Sequence, residues 1–136
     1  MTGMPKVLLI DDNHDTLDLL EVFLYTKFEI TTAMNGFEGL AKAEESIPDV
    51  IITDIMMPVM DGIKFFNSLK KEEKTRNIPI IAITSFARKI TKRSLLNMGF
   101  DGVVSKPLAR DTVIEAVEKV MKQSNAPDNI QTTPGG

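Results

Sequence analysis

The chain has 136 residues, 43% of them hydrophobic, enough for one core and one domain. Cysteine is absent, which excludes disulfides, thiol catalysis and thiolate metal sites. A net charge of −3 gives no electrostatic case for nucleic acid. No apolar run resembles a signal-peptide core or approaches membrane-spanning length, so a soluble cytoplasmic protein is expected.

Residues 6–10 carry the apolar run Val7-Leu8-Leu9-Ile10, read as a buried strand. A helix begins near His14, with Leu17, Leu20 and Leu24 at helical spacing and Leu19 and Phe23 widening the stripe. Phe28 to Ala33 reads as a second strand, and Asn35-Gly36 as a turn. Phe37, Leu40, Ala41 and Ala43 form a weaker helical stripe that ends before Pro48. Val50 to Thr53 is the third strand. Residues 62–71 form a helix with Ile63, Phe66 and Leu69 inward and one of Phe65 and Phe66 half-exposed. Ile78 to Ile83 is the fourth strand, with Pro79 near its start where a missing donor is tolerated. A helix over 87–98, a short strand from Gly102 to Ser105 and a helix over 110–122 complete the chain, the last with Val113, Val117, Val120 and Met121 inward. Residues 123–136 change to a polar, proline- and glycine-containing composition, expected to be a flexible tail or linker. Strand and helix alternate throughout, which favours a parallel sheet covered by helices on both faces.

The apolar runs end in loaded positions. The first runs into Asp11-Asp12, the third into Asp54, the fourth into Thr84-Ser85, and the last into Lys106-Pro107. An open α/β sheet builds its site in the crevice outside the carboxyl ends of its strands. Three carboxylates there repel one another unless a hard cation neutralises them, and Mg²⁺ suits a partly built acidic pocket better than Ca²⁺ does. Asp54, on the middle strand end, is the natural nucleophile toward phosphorus. Lys106 would neutralise a phosphoryl oxygen, and Thr84 or Ser85 would donate a hydroxyl. Each residue has a plainer reading: Asp11 and Asp12 as complements to a helix dipole, Asp54 or Thr84 as caps, Lys106-Pro107 as a loop. Their joint placement on four strand ends favours the site.

With these residues in view, the chain resembles a response-regulator receiver domain of two-component systems. The resemblance covers roughly residues 5–122. It is carried by Val7-Leu8-Leu9-Ile10-Asp11-Asp12, Asp54-Ile55-Met56-Met57-Pro58-Val59-Met60-Asp61-Gly62, Ile83-Thr84-Ser85 and Val104-Ser105-Lys106-Pro107-Leu108. It implies a flavodoxin-like five-stranded parallel sheet of order 2-1-3-4-5, a receiver over residues 1–122 and a tail over 123–136. It implies that Asp54 accepts a phosphoryl group from a phosphohistidine on a histidine kinase or histidine phosphotransfer protein, so the chain is a signalling protein and not an enzyme in the ordinary sense. It implies Mg²⁺ as cofactor, held by Asp12, Asp54 and the backbone carbonyl of Met56, with Asp11 acting through water. Thr84 would be the switch hydroxyl and Lys106 the phosphate-binding lysine, ahead of a cis Lys106-Pro107 bond. A downstream protein target would be engaged through the 84–110 face, and the last helix–strand–helix face admits a dimer.

Where similar domains commonly carry an aromatic switch residue, three positions before the lysine, this chain has Val103, and Phe100 is out of register. Met56 and Phe86 are expected at the mouth of the site, slowing water attack on the acyl phosphate. His14, the only histidine, is expected to be exposed at the start of a helix, so the donor histidine lies elsewhere. Arg88, Lys89, Lys92 and Arg93 form a basic patch whose default is a solvated face. A Mg²⁺-dependent aspartyl-nucleophile phosphatase spaces its two first-strand aspartates one residue apart, unlike the adjacent Asp11-Asp12. A flavin module would be repelled by Asp11-Asp12 at the phosphate position. A receiver cut from a hybrid histidine kinase or longer regulator is the nearer alternative.

Overall fold

The computed structural model describes residues 3–57, 60–85 and 91–124. The elements are β1 (Lys6–Ile10), α1 (His14–Leu24), β2 (Glu29–Ala33), α2 (Gly36–Glu45), β3 (Val50–Asp54), α3 (Gly62–Lys71), β4 (Ile80–Thr84), α4 (Lys92–Met98), β5 (Gly102–Ser105) and α5 (Arg110–Ser124). The strands form one sheet of order β2-β1-β3-β4-β5, every pair parallel. The expected doubly wound architecture is therefore present, and its switch point lies between β1 and β3.

Alternation along each strand divides the core in two. Val7, Leu9, Val50, Ile52, Ile81, Ile83 and Val104 meet Leu17, Leu20 and Leu24 of α1 and Val113, Val117 and Val120 of α5. Leu8, Ile10, Ile51, Ile80 and Ala82 face the other side, against Ala43, Phe65, Phe66, Leu69 and Leu95 of α2, α3 and α4. Strands apolar on both faces belong between two helix layers.

The helix faces differ from the sequence expectation in three places. In α2 the buried positions are Gly36, Gly39 and Ala43, whereas Phe37 and Ala41 face outward. Close approach decides this: a Cβ on Gly39 would lie 2.5 Å from Ile10 Cδ1 and 3.1 Å from Phe65 Cε1. The glycine edge, not the aromatic, meets the sheet. In α1, Leu19 is exposed while Phe23 packs against the core edge. In α3, Phe65 and Phe66 are both buried, because Phe66 stacks on Phe100 with ring centroids 4.3 Å apart.

Boundaries also move: the second strand begins at Glu29 rather than Phe28, and the third runs on to Asp54. The fourth strand begins at Ile80, where the ladder's first amide is taken by the Asp101 side chain at 2.9 Å, not at Ile78. The helix expected over 87–98 begins at Lys92, since Thr91 is an extended N-cap whose hydroxyl accepts from the Ser94 amide. The last helix runs on to Ser124. Residues 86–90 and the 125–136 segment lie outside the described residues. Among the described residues no helix is long and apolar enough to cross a membrane.

Candidate functional site

The ends of β1, β3, β4 and β5 converge on one crevice. Asp11 and Asp12 leave β1, Asp54 closes β3, Thr84 closes β4, and Lys106 follows β5. The Lys106 amide donates to the Thr84 carbonyl at 2.7 Å, which ties the lysine loop to the hydroxyl-bearing strand end. The Lys106-Pro107 bond is cis, as the family resemblance implied. Gly62 sits where α3 starts: a Cβ there would strike the Asp54 carbonyl oxygen and lie 2.8 Å from Ile55 Cα. The Gly62 amide donates to the Ile55 carbonyl at 2.9 Å, so the start of α3 is tied to the residue that follows β3.

A cavity of about 100 Å³ opens here, lined by Asp54, Ile55, Met56, Ile83, Thr84, Ser85 and Lys106. On its acidic side, ligand oxygens of Asp11, Asp12 and Asp54 all lie within 4.8 Å of one another. Asp11 is fully buried, Asp54 half-buried and Asp12 exposed. Asp11 Oδ1 accepts the Asn13 amide at 2.9 Å. Asp11 Oδ2 has no hydrogen-bond partner among the described residues, and Lys106 Nζ stands 3.9 Å from it. Asp54 Oδ1 accepts a long bond, 3.3 Å, from the Met56 amide.

The electrostatics follow from this crowding. Burial pushes the Asp11 carboxyl up to about 6; the Asn13 amide and Lys106 oppose this, and the charges of Asp54 and Asp12 add to it. Burial also raises Asp54, against the pull of Lys106 and the Met56 and Ile55 amides. A buried carboxylate oxygen without a donor is costly. A hard divalent cation among the three carboxylates would satisfy it, and an oxygen-only donor set fits Mg²⁺. The residues present therefore fit the metal that the sequence implies.

The structure thus brings Asp11, Asp12, Asp54, Thr84, Lys106 and the Met56 backbone to one place. Met56 is exposed at the mouth, while Phe86, Pro58, Val59, Arg88 and Lys89 lie outside the described residues. Lys92 and Arg93 of the basic patch are exposed, as is His14 at the first position of α1. Val103 is half-buried against the α2–α4 side, and Phe100 is committed to Phe66. Sequence reasoning missed Asn13, whose amide holds Asp11 and whose side chain caps α1. An asparagine just before a helix was the available signal.

Comparison with known proteins gives the family and the fold. The sequence matches the family described as response regulator receiver domain over residues 7–118. It is 32% identical to the polar-differentiation response regulator DivK of Brucella anthropi, covering 87% of this chain and 98% of that one. Curated relatives vary in length: the chain spans 98% of DivK but 7% of the hybrid signal transduction histidine kinase L of Dictyostelium discoideum, to which it is 33% identical over 88% of its own length. Among solved structures, the chemotaxis response regulator CheY4 of Vibrio cholerae is 31% identical, with a TM-score of 0.79 over 87% of this chain and 99% of that one. The receiver domain of the sensor histidine kinase PA1611 from Pseudomonas aeruginosa, which holds a magnesium ion in its active-site cleft, is 25% identical. Its TM-score is 0.79 over 88% of this chain and 98% of that one.

Proposed function

The chain belongs to the response regulator receiver domain family and is a phosphorelay signalling receiver; from that premise we propose that Asp54 is its phosphoacceptor and that Asp11, Asp12, Asp54 and the Met56 carbonyl form a Mg²⁺ site. One observation carries the reading. A fully buried carboxylate oxygen of Asp11 lacks a donor beside Asp54, with Lys106 and Thr84 lining the same crevice. A structural carboxylate would have its oxygens paired.

In this reading an Asp54 carboxylate oxygen attacks the phosphorus of a partner's phosphohistidine. A P–O bond forms as the P–N bond breaks, and the imidazole nitrogen keeps the electron pair and takes up a proton. Bound Mg²⁺ supplies charge neutralisation for the carboxylates and the incoming phosphoryl oxygens. Lys106 neutralises a phosphoryl oxygen, and the Thr84 hydroxyl donates to another once the acyl phosphate has formed. That added dianion draws the Thr84 end of β4 inward and changes affinity for a downstream protein through the 84–110 face. Hydrolysis of the acyl phosphate by water resets the protein, slowly and without a separate substrate, which is why we read a signalling protein rather than an enzyme.

The partner is a histidine kinase or histidine phosphotransfer protein. Intact-protein mass after incubation with a small acyl-phosphate donor tests the chemistry. One labile phosphoryl group should appear in the presence of Mg²⁺ and be absent in Asp54→Asn. No gain in wild type with either a small donor or a phosphorylated histidine protein would overturn the reading.

A further inference from the structure

We propose that Asn13 is a positioning residue for Asp11, an inference that rests on the divalent-cation reading of the site. Asn13 works in two directions. Its side-chain Oδ1 accepts the amides of Asp15 at 2.8 Å and Thr16 at 3.3 Å, capping α1, and its own amide donates to Asp11 Oδ1 at 2.9 Å. Its carbonyl accepts from Leu17, which is buried in the α1–α5 core. On the other side, the Asp11 amide donates to Ala33 of β2 at 3.1 Å.

The consequence is directional. Asp11 is pinned at its backbone by β2 and at Oδ1 by the capped turn, which leaves Oδ2 buried without a hydrogen-bond partner, 3.9 Å from Lys106 Nζ, in a residue whose carboxylate clusters with those of Asp12 and Asp54. An extended Asn13, φ −104° and ψ 115°, presents its amide backward only while its side chain holds the first turn of α1. Without that side chain the Asp15 and Thr16 amides lose their acceptor, the residue 13 backbone is no longer tied to them, and its amide no longer fixes Oδ1. Residues that orient metal ligands commonly govern affinity without touching the metal.

Titration calorimetry with MgCl₂ on the full chain, well below its melting temperature, tests this. Asn13→Ala should weaken Mg²⁺ binding about tenfold, within the range for residues that support a ligand. Asn13→Ser, which restores a capping oxygen, should bind as wild type does. Asn13→Gly keeps most of the helix stability while deleting the side chain, so it stands in if the alanine variant does not fold. The residue 13 amide should exchange faster with solvent in Ala and Gly than in wild type and Ser, without metal. If wild type binds Mg²⁺ and Asn13→Ala and Asn13→Gly bind it equally well, the inference is overturned while the site reading stands. A wild type that binds no Mg²⁺ removes both.

Discussion

The two ends of the sheet use aspartate in opposite ways. At the amino ends of the strands, Asp49 and Asp101 each close a reciprocal pair with a neighbouring strand. The Lys6 amide donates to Asp49 Oδ2 at 2.7 Å while the Asp49 amide donates to the Lys6 carbonyl at 2.9 Å. Asp101 does the same with Ile80, both bonds at 2.9 Å. At the carboxyl ends, Asp11 is the one carboxylate among the buried described residues, yet one of its oxygens has no donor, and Asp54 has a long bond. Paired carboxylates fix register. Unpaired ones, crowded together, store unfavourable energy that a cation can release.

The sharpest way to break this contrast is Asp54→Asn. It should abolish the phosphoryl mass gain outright while leaving the fold intact by circular dichroism. A second labelled carboxylate of equal yield would show that the crowded end has no unique acceptor.

Asp11 offers the next largest effect. In the unfolded chain its carboxyl ionises near 3.8, in the native protein near 6. Between those values the native state holds a proton that the unfolded state has lost, so metal-free stability falls as pH rises through about 6. The loss amounts to at most about 3 kcal/mol. Asp11→Asn keeps an acceptor for the Asn13 amide without the charge. It should raise the metal-free melting temperature at pH 7.5, flatten its dependence between pH 4 and 7, and lose most of the stabilisation that Mg²⁺ gives wild type. A variant less stable than wild type without metal would mean that Asp11 is as well satisfied as Asp49.

At the opposite end, Asp101→Ala should cost about 1–3 kcal/mol by stranding the buried Ile80 amide, with Mg²⁺ affinity unchanged. Denaturant unfolding measures it; a change in metal affinity instead would erase the division between the two ends. The smallest effect is expected at Met56, which is exposed at the cavity mouth. Met56→Ala should shorten the acyl-phosphate lifetime about threefold, under about 1 kcal/mol of barrier, by admitting water. An unchanged or longer lifetime in a mass time course contradicts that.

The sequence by itself determined the five strands, their parallel arrangement and the residues at their ends. Runs such as Val7 to Ile10 and Ile80 to Ile83 are apolar on both faces, and that pattern has few solutions besides a sheet between helix layers. The candidate site was legible for the same reason, because Asp11, Asp12, Asp54, Thr84 and Lys106 each end a strand run. Which helix face turns inward was less legible. Phe37 outranks Gly36 and Gly39 on any hydrophobic scale, yet Gly39 meets Ile10 of the sheet and Gly36 meets Met60, because backbone approach, not side-chain hydrophobicity, sets the contact. Phe65 and Phe66 both enter the core because Phe100, 34 positions beyond Phe66, supplies a stacking partner. Tertiary structure alone decided that Asp11 Oδ2 is buried without a donor. That depends on where segments distant in the chain meet, and hydrogen-bond satisfaction is a property of that meeting; the Asn13–Asp11 link, between residues two apart, is local.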